Sequence, residues 1–536
     1  MKDLSFSKTL IMLLLTTLIP WSVQGQQQGL DDRINEAFTP IANWWGALIL
    51  HDFPGTSIPT IIILLVGGAL FFTLYFGFVN VKRFPTAIAT VSGKYDALDH
   101  HESGAPDLAI EGDIKDTIKD ESQEGEVSHF QALATAVSGT VGNGNIAGVA
   151  LAIAVGGPGA TFWMILCGLL GMSTKFVECT LGVRYRDVGE DGTVYGGPMY
   201  YLTKGLKERG LGKIGKFLAV TFAILCIGAS FGGGNAAQSN QAAMQLVSTF
   251  GMTGGSARTI IGLIMMVFVA IIIIGGIKRI ASVTEKIVPF MALMYILACV
   301  YIIGSNLSFV DDAFGMIFSQ AFNPQAGLGG FFGVLITGFR RAAFSNEAGA
   351  GSASIAHAAV KTKYPASEGL VALLEPFIDT VVICTMTALV IIIFNGDNAV
   401  FDYGGEGGRV MIDGVAVEGA AITAAAFSEY IAFAGPFLTL AVVLFAVSTM
   451  ISWSYYGLQS WMYLFGKSKA AALSYKILFL IFIVIGAAGD MSAVWTFSDA
   501  MILALVFPNM IGLMLLYPKV KEELTVYMTA IRDNKR

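Results

Sequence analysis

The chain has 536 residues, of which 54% are hydrophobic and 13% are charged, and its mean hydropathy is +0.66. Soluble domains carry roughly 25% charged residues, so a soluble globular protein and a disordered chain are both excluded. The net charge of −6 gives no reason to expect a nucleic acid as partner. The five cysteines lie in apolar segments without CxxC or Cys/His spacing, which predicts neither a disulfide framework nor a zinc site.

The first 25 residues are predicted to be a targeting segment rather than part of the fold. Lys2 and Lys8 precede a short apolar run that ends at Pro20, and small residues follow before Gln26. This order is typical of a cleaved signal peptide at 1–25. The alternative is a twelfth spanning helix, which the short run and its proline disfavour.

Apolar stretches recur along the rest of the chain, and each is about long enough to cross a bilayer as a helix, which takes about 20 residues. They predict an all-α polytopic membrane protein with about 11 transmembrane helices. The predicted spans are 57–80, 129–155, 159–182, 215–233, 258–277, 284–305, 331–358, 369–394, 431–456, 474–489 and 494–517.

Lysine and arginine accumulate in alternate loops between these spans. After the first span, the loops of the other set, which alternate with these basic loops, hold only Arg258 and Arg409. Because positive residues favour the cytoplasmic side, we expect a protein of the cell (inner) membrane with its mature N-terminus outside and its C-terminus in the cytoplasm. The loop 81–128 is acidic from Asp96 to Glu126 and is predicted to be a solvated cytoplasmic linker.

Two spans contain residues that a plain membrane helix avoids. The second carries the run from Ser138 to Gly148 and the seventh the run from Phe344 to Ser354, both rich in glycine with Asn or Glu inside. Glycine costs about 1 kcal/mol relative to alanine in a helix, and Asn and Glu at bilayer depth cost more. Unwound backbone is tolerated in a membrane where it is packed in protein or lines a cavity. Matching interruptions in two halves of a chain indicate the central site of a transporter.

Close helix packing through small residues is the alternative explanation. It accounts for the glycines but not for the Asn and Glu side chains among them. The interrupted spans are the second and the seventh, so each begins a block of five spans, and the two blocks have opposite topology. The predicted divisions after the signal peptide are 26–80 with one extra helix, the loop 81–128, a first five-helix repeat at 129–305, a second at 306–518 and a cytoplasmic tail at 519–536.

Ionisable residues within spans are functional candidates by default. Lys175 and Glu178 are three residues apart on one helix and are predicted to pair. Glu347 is predicted to pair with Arg340 or Arg341 and to close a gate. The other ionisable residues in or near spans are Glu375, Asp379 and His357.

Several blocks of this sequence resemble the alanine/glycine:cation symporters, also called sodium:alanine symporters. The blocks are Gly142 to Ala150, Gly156 to Ala160, Gly171 to Phe176, Gly196 to Tyr201, Gly275 to Ile280, Phe344 to Ser352, Ile378 to Thr380 and Trp453 to Gly457. The resemblance runs from roughly residue 57 to the end. The sequence departs from the family at Asn143 and Ser448, where the family commonly has threonine.

The resemblance implies a LeuT-type fold, a five-plus-five inverted repeat that is here preceded by one extra helix. It places the substrate between the second and seventh spans and sodium between the second span and a hydroxyl pair on the ninth. The implied substrate-binding residues are Asn143, Gly144, Asn145, Ala348, Gly349, Ala350, Gly351 and Ser352. The implied sodium ligands are Thr140, Val141, Asn145, Ser448 and Thr449.

These observations predict a secondary active transporter and not an enzyme. We expect sodium-coupled symport of a small neutral amino acid, alanine or glycine, into the cell by alternating access. Sodium is expected as a co-transported ligand, with no further cofactor and no obligate protein partner. A proton-coupled symporter of another small zwitterion is the alternative, and an ion channel is a more distant one.

Overall fold

The computed structural model describes residues 30–56, 58–99, 125–189, 192–323, 330–396 and 399–534. Within these ranges the chain is helical apart from two short antiparallel strand pairs, so the predicted all-α class is confirmed. The predicted signal peptide 1–25 lies outside the described residues, as does most of the acidic part of the loop 81–128.

The helices follow one another through the whole described chain. In chain order they are α1 (Leu30–Ile49), α2 (Thr60–Tyr75), α3 (Val79–Lys82), α4 (Phe84–Val91), α5 (Asp96–Asp99), α6 (His129–Thr140), α7 (Val149–Gly156), α8 (Gly159–Arg184), α9 (Pro198–Glu208), α10 (Gly212–Phe231), α11 (Ala237–Thr249), α12 (Ala257–Ile273), α13 (Gly276–Ser305), α14 (Leu307–Ala321), α15 (Gly330–Asn346), α16 (Ala353–His357), α17 (Pro365–Ala372), α18 (Leu374–Pro376), α19 (Thr385–Asn395), α20 (Ala420–Tyr430), α21 (Ala434–Phe465), α22 (Lys469–Ala488), α23 (Met491–Ala504) and α24 (Val506–Asp533).

Three π-helical segments join some of these helices into longer rods. They are Gly144–Gly148 before α7, Gly232–Ala236 between α10 and α11, and Phe377–Cys384 between α18 and α19. Strands β1 (Asp187–Val188) and β2 (Val194–Tyr195) form one pair, and β3 (Val410–Ile412) and β4 (Val415–Val417) form the other.

Seven helical segments of the described chain are long and apolar enough to cross a membrane, and the bent pair of α6 with α7 makes an eighth. The helix α2, the helix α12 and the interrupted pair α15–α16 occupy the remaining predicted spans. One helix therefore precedes two series of five, and each series begins with an interrupted helix. This is the element order of the LeuT-type fold, whereas the total of eleven spans stays a prediction.

Several elements differ from the sequence-based prediction. The predicted span 215–233 continues through its π-helical segment to Thr249, and the last helix runs to Asp533, so the predicted tail 519–536 is mostly helical. Helices α1, α4, α5, α9, α14 and α20 were not predicted, and α4 and α5 lie in the predicted linker 81–128. A search for long apolar runs misses them because they are short or carry polar residues along one face.

Large apolar side chains cover much of the outer surface of the bundle. Phe268 on α12 is 63% exposed and Leu297 on α13 is 58% exposed. In water such a surface would be a liability, whereas in a bilayer it faces lipid. The interior is closely packed, and a Cβ atom at Gly234 would collide with the ring of the fully buried Trp453.

The two ends of the bundle are built differently. At one end the segment 399–430, with β3, β4 and α20, lies against the first interrupted helix: the Gly404 N–H donates to the Ala154 carbonyl at 2.7 Å. We call this end the hairpin face. At the other end the β1–β2 pair and the start of α6 meet, and the Val194 N–H donates to Glu126 Oε1 at 2.8 Å. We call this end the basic face, because it carries most of the lysines and arginines of the loops.

Candidate functional site

The first interrupted helix breaks between α6 and α7, whose axes are bent by 51°. Asn145 spans the break, because its Oδ1 accepts from the Gly142 N–H at 2.9 Å. Gln238 closes the break from the side, since its Oε1 accepts from the Asn143 N–H at 2.9 Å. The predicted interruption of this span is confirmed. The donors that it exposes are met by side-chain amides, as buried backbone groups require.

A buried carboxylate lies opposite this break. Asp379, in the π-helical segment after α18, is fully buried. Its Oδ1 accepts from Asn145 Nδ2 at 2.7 Å and from Ser345 Oγ at 3.1 Å, and its Oδ2 accepts from Thr380 Oγ1 at 2.7 Å. We call Asn145, Ser345, Asp379 and Thr380 the Asp379 cluster. All of its donors are neutral, and within the described residues Asp379 forms no ion pair.

Helix α21 meets the first break through a hydroxyl pair. Ser138 Oγ donates to the Ser448 carbonyl at 2.8 Å, and Thr449 Oγ1 donates to the Ser138 carbonyl at 3.0 Å. A Cβ atom at Gly142 would collide with Thr449 Oγ1. The structure therefore brings Thr449 to the break. The hydroxyls of Ser448 and Thr140, in contrast, donate to carbonyls of their own helices, at 3.0 and 3.3 Å.

The second interruption lies between α15 and α16, as predicted. Glu347 adopts a left-handed conformation with φ of 55°, and Gly349 and Gly351 follow with φ of 93° and 84°. The Glu347 carboxylate is buried and accepts from Trp453 Nε1 at 2.9 Å and from Ser352 Oγ at 2.5 Å. A left-handed non-glycine residue is strained, and its two side-chain bonds hold it in place.

The loop after this second break does not face the first one. The Gly349 N–H donates to Glu178 Oε2 on α8 at 3.2 Å, and the Gly349 carbonyl accepts from Asn509 Nδ2 on α24 at 2.8 Å. A Cβ atom at Gly144 would instead lie 3.4 Å from the Phe344 ring and 3.7 Å from Ser345 Cα.

This geometry divides the predicted substrate residues into two groups. The structure sets the break around Asn143, Gly144 and Asn145 against the end of α15, because the left-handed turn at Glu347 redirects the chain after that helix. No hydrogen bond of the described residues joins the first break to the loop that holds the other predicted substrate residues. Those residues are Ala348, Gly349, Ala350, Gly351 and Ser352.

The predicted pairing of Glu347 with Arg340 or Arg341 is wrong. Both arginines bind Asp499 Oδ2 on α23: Arg340 Nη2 lies 2.7 Å from that oxygen, and Arg341 forms a shorter ion pair with it. Glu347 lies beyond the end of α15 and faces α21, whereas the arginines face α23. The signal for Asp499 was present in the sequence, as an acidic residue inside the last apolar span.

Lys175 is a fully buried cation between two carboxylates. Its Nζ lies 3.7 Å from Glu178 Oε1, which confirms the predicted pairing, and 3.0 Å from Glu375 Oε1, which was not predicted. Glu178 also accepts from Asn509 Nδ2 at 3.2 Å. A buried charge of this kind is tolerated because it is paired on both sides.

Two histidines extend this arrangement toward the basic face. His357 Nε2 lies 3.6 Å from Glu375 Oε2, and its Nδ1 lies 2.5 Å from Glu368 Oε1. His129, at the start of α6, forms a short contact with Glu368. Sequence reasoning missed His129 and Glu368, although Glu368 stands seven residues before Glu375 and thus on the same helix face. We call these four residues with Lys175 and Glu178 the buried charge row.

The sequence model of the sodium:alanine symporter family matches residues 49–536. The chain belongs to this family. It is 41% identical over 479 residues to the sodium/alanine symporter AgcS of Methanococcus maripaludis, which covers 89% of this chain and 96% of that protein. It is 35% identical over 413 residues to the probable sodium/glutamine symporter GlnT of Bacillus subtilis, covering 76% of this chain and 79% of that protein.

Among solved structures, that of MhsT in complex with L-phenylalanine is similar at a TM-score of 0.49 and 14% identity, over 74% of this chain and 99% of that chain. Family membership confirms the resemblance seen in the sequence. This member of the family is a multi-pass membrane protein and a sodium-coupled amino-acid symporter.

Proposed function

We propose that this symporter carries a small neutral amino acid, alanine or glycine, into the cell together with sodium, by alternating access around the two interrupted helices. The observation that carries the proposal is the Asp379 cluster at the first break. It combines a buried carboxylate, neutral amide and hydroxyl partners and unwound backbone in one place. Family membership supports sodium coupling, and the geometry supports a place for the ion.

Sodium is proposed to bind at the first break. Asp379 is a buried carboxylate with neutral partners, and a charge in such a place is costly until a cation balances it. Asn145 donates to Asp379 through its amide nitrogen, and its amide oxygen, which accepts from the Gly142 N–H, is a proposed ligand on the other side of the side chain. The Val141 carbonyl and the Thr449 hydroxyl remain the proposed ligands on the α21 side of the break, with Ser448 and Thr140 as the less well placed hydroxyls.

The substrate carboxylate is proposed to meet backbone N–H groups near Gly144 and Asn145, since a helix N-terminus favours an anion. The Asn145 N–H, which donates to the Gly142 carbonyl at 3.1 Å in this structure, would change its partner when the substrate binds. The side chains that pack around this position favour a substrate with a small side chain. Cβ atoms at Gly144 and Gly148 would lie 3.4 Å from the Phe344 ring and 3.5 Å from the Trp495 ring. Two aromatic rings so close to the break leave little space for a long side chain there.

The distribution of lysine and arginine indicates how the protein is oriented in the membrane. The basic face carries most of the lysines and arginines of the loops, so we propose that it lies in the cytoplasm and that the hairpin face lies outside. The substrate then enters past the segment 399–430 and leaves past the start of α6. Rocking of the two five-helix units would expose the breaks to each side in turn.

The deciding experiment is uptake of radiolabelled alanine and glycine by proteoliposomes, with an imposed sodium gradient, with an imposed proton gradient and with neither. We expect saturable uptake that needs the sodium gradient. Uptake of glutamine tests whether the site accepts a larger neutral side chain. Glutamine is chosen because one relative is a probable sodium/glutamine symporter. Uptake driven by protons without sodium would support the proton-coupled alternative, and a flux that never saturates would support a channel.

Thr449→Ala and Ser448→Ala form a matched pair for the sodium site. Both remove a hydroxyl from α21, but only that of Thr449 crosses to the first break. We expect Thr449→Ala to raise the sodium concentration for half-maximal uptake several-fold, and Ser448→Ala to change it less. Equal sodium dependence in the wild type and Thr449→Ala would remove Thr449 from the site.

A further inference from the structure

An open cavity of about 360 Å³ lies between the turn that follows α2 and the last part of α24. Sites for small ligands have volumes of about 300–1,000 Å³. The cavity is at the same end of the bundle as the basic face, because Glu523 of α24 pairs with Arg184 at the end of α8, directly before β1. We call it the Arg83 pocket. Its walls include Tyr75, Arg83, Lys521, Leu524, Met528 and Arg532.

Three cationic side chains surround the Arg83 pocket. Arg83 is half-buried, whereas Lys521 and Arg532 are exposed. Within the described residues none of the three forms an ion pair, and no acidic side chain lines the cavity. The neighbouring Lys519, in contrast, lies 3.3 Å from Glu522. The pocket therefore gathers three positive charges that the protein does not neutralise, and such a cluster attracts an anion from outside.

The wall that α24 contributes is a continuous stripe along one side of that helix. Lys521, Leu524, Met528 and Arg532 follow one another at intervals of three or four residues, which places them on one helix face. The cations stand at the two ends of this stripe and the apolar residues between them. Opposite its start, the ring centre of Tyr75 lies 5.0 Å from Lys521 Nζ. The pocket thus offers an apolar surface between cations, which differs from a purely ionic site.

The Arg83 pocket lies where the apolar outer surface of the bundle ends. Tyr75 is the last residue of the apolar helix α2, and its ring centre is 4.6 Å from that of Tyr517. Tyrosine is enriched where a membrane meets water. Beside the pocket, Phe78 is 48% exposed and Val81 is 65% exposed, so the lipid-facing surface continues up to it. These neighbours set the pocket at the depth of the lipid headgroups, where basic pockets between membrane helices bind anionic lipids.

We propose that the Arg83 pocket binds one anionic phospholipid, whose phosphate group contacts Arg83, Lys521 and Arg532. Its acyl chains then lie along the exposed side chains of Phe78 and Val81. Arginine suits a phosphate because its planar fork donates two parallel bonds to the oxygens. A free phosphate ion would use the cations but not the apolar surface between them, so the lipid is the better match. The bound lipid would connect α2, which precedes both five-helix series, to the last helix.

The test counts the lipids that stay bound to the purified full-length protein in detergent, by native mass spectrometry. The protein is incubated with phosphatidylglycerol, which is anionic, or with phosphatidylcholine, which has no net charge. We expect the wild type to retain one phosphatidylglycerol and no phosphatidylcholine. The triple variant Arg83→Gln/Lys521→Gln/Arg532→Gln should bind phosphatidylglycerol at least about 10-fold more weakly, because each basic residue near a lipid headgroup adds to the attraction.

The matched control is Arg209→Gln/Lys278→Gln/Arg279→Gln, which removes the same charges from exposed positions outside the pocket and should retain the lipid. Equal loss in the two triple variants would show a general effect of net charge and overturn the proposal. Equal retention of the two lipids by the wild type would also overturn it. Displacement of phosphatidylglycerol by inorganic phosphate would show a site for the ion alone, with the same consequence. Lys521→Gln, a single exposed change, should weaken binding by a smaller factor and replaces the triple variant if size-exclusion chromatography shows that variant to be misfolded.

Discussion

Asp379 has no local signal that distinguishes it from the other acidic residues of the spans. Its partner Asn145 is 234 positions away in the chain, and their hydrogen bond of 2.7 Å forms only when the π-helical segment packs on the first break. The sequence shows both as polar residues in apolar surroundings, which marks each as a candidate. The pairing itself depends on tertiary packing and was not predictable from one sequence.

Asp379→Asn tests whether this carboxylate binds sodium. The amide keeps the size of the side chain and removes the charge, so we expect the sodium concentration for half-maximal uptake to rise by at least about 10-fold, equivalent to about 1.4 kcal/mol. Sodium titrations of alanine uptake in proteoliposomes measure it. Asp312→Asn makes the same change at an exposed position of α14 and should behave as the wild type. Unaltered sodium dependence in Asp379→Asn would contradict the assignment.

Lys175→Met tests the buried charge row. The change leaves Glu178 and Glu375 buried without their cation, and breaking a buried pair in this way costs about 3–5 kcal/mol. We expect a clearly lower thermal unfolding midpoint for the purified protein in detergent. The double variant Lys175→Met/Glu375→Gln removes one of the stranded charges and should recover part of the loss. No recovery would show that lost packing, not charge, causes the effect.

At the scale of elements, the two interruptions were predictable and their surroundings were not. Gly-Asn and Ser-Asn-Glu runs disfavour a continuous membrane helix wherever they stand, because the reason is local. The direction of the chain after each break is not local. It is set by the left-handed turn at Glu347 and by the contacts of Gly349 with α8 and α24. The contacts of the predicted substrate residues beyond that turn were therefore not predictable from the sequence.

Gly142→Ala tests the contact between the first break and α21. The added methyl group would collide with Thr449 Oγ1 and would lie 2.9 Å from Gln238 Oε1, so we expect uptake to fall below a tenth of the wild-type rate. Gly67→Ala on α2 is the matched control, since no atom lies within 4 Å of its added carbon. Initial rates per correctly folded protein, judged by size-exclusion chromatography, measure the effect. Wild-type uptake by Gly142→Ala would show that this contact is not required.

At the scale of the whole molecule, composition was enough for the class, whereas the sidedness that the charged loops predict stays a prediction. The all-α class and the order of one helix followed by two interrupted series agree with the sequence. Helix α14 and the strand pairs escaped prediction because their residues neither form long apolar runs nor carry motifs. The alternation of basic loops is a property of the entire chain, so it survives errors of several residues at each helix end.

Cysteine labelling tests the proposed orientation. All five natural cysteines are buried, which keeps the background low. We expect Val415→Cys on β4, at a position 62% exposed, to react with a membrane-impermeant maleimide on intact cells. Arg209→Cys, at an exposed position after α9, should react only after the cells are permeabilised. The reverse pattern would invert the orientation.

The bond from Thr423 Oγ1 to the Ile146 carbonyl, at 3.2 Å, ties helix α20 to the π-helical turn of the first interrupted helix. Any tilt of that turn must either carry α20 along or break this bond. The cover of the hairpin face is thus mechanically coupled to the first interrupted helix. If that turn moves during transport as proposed, lengthening the loop between β4 and α20 would slow the transport cycle as a whole.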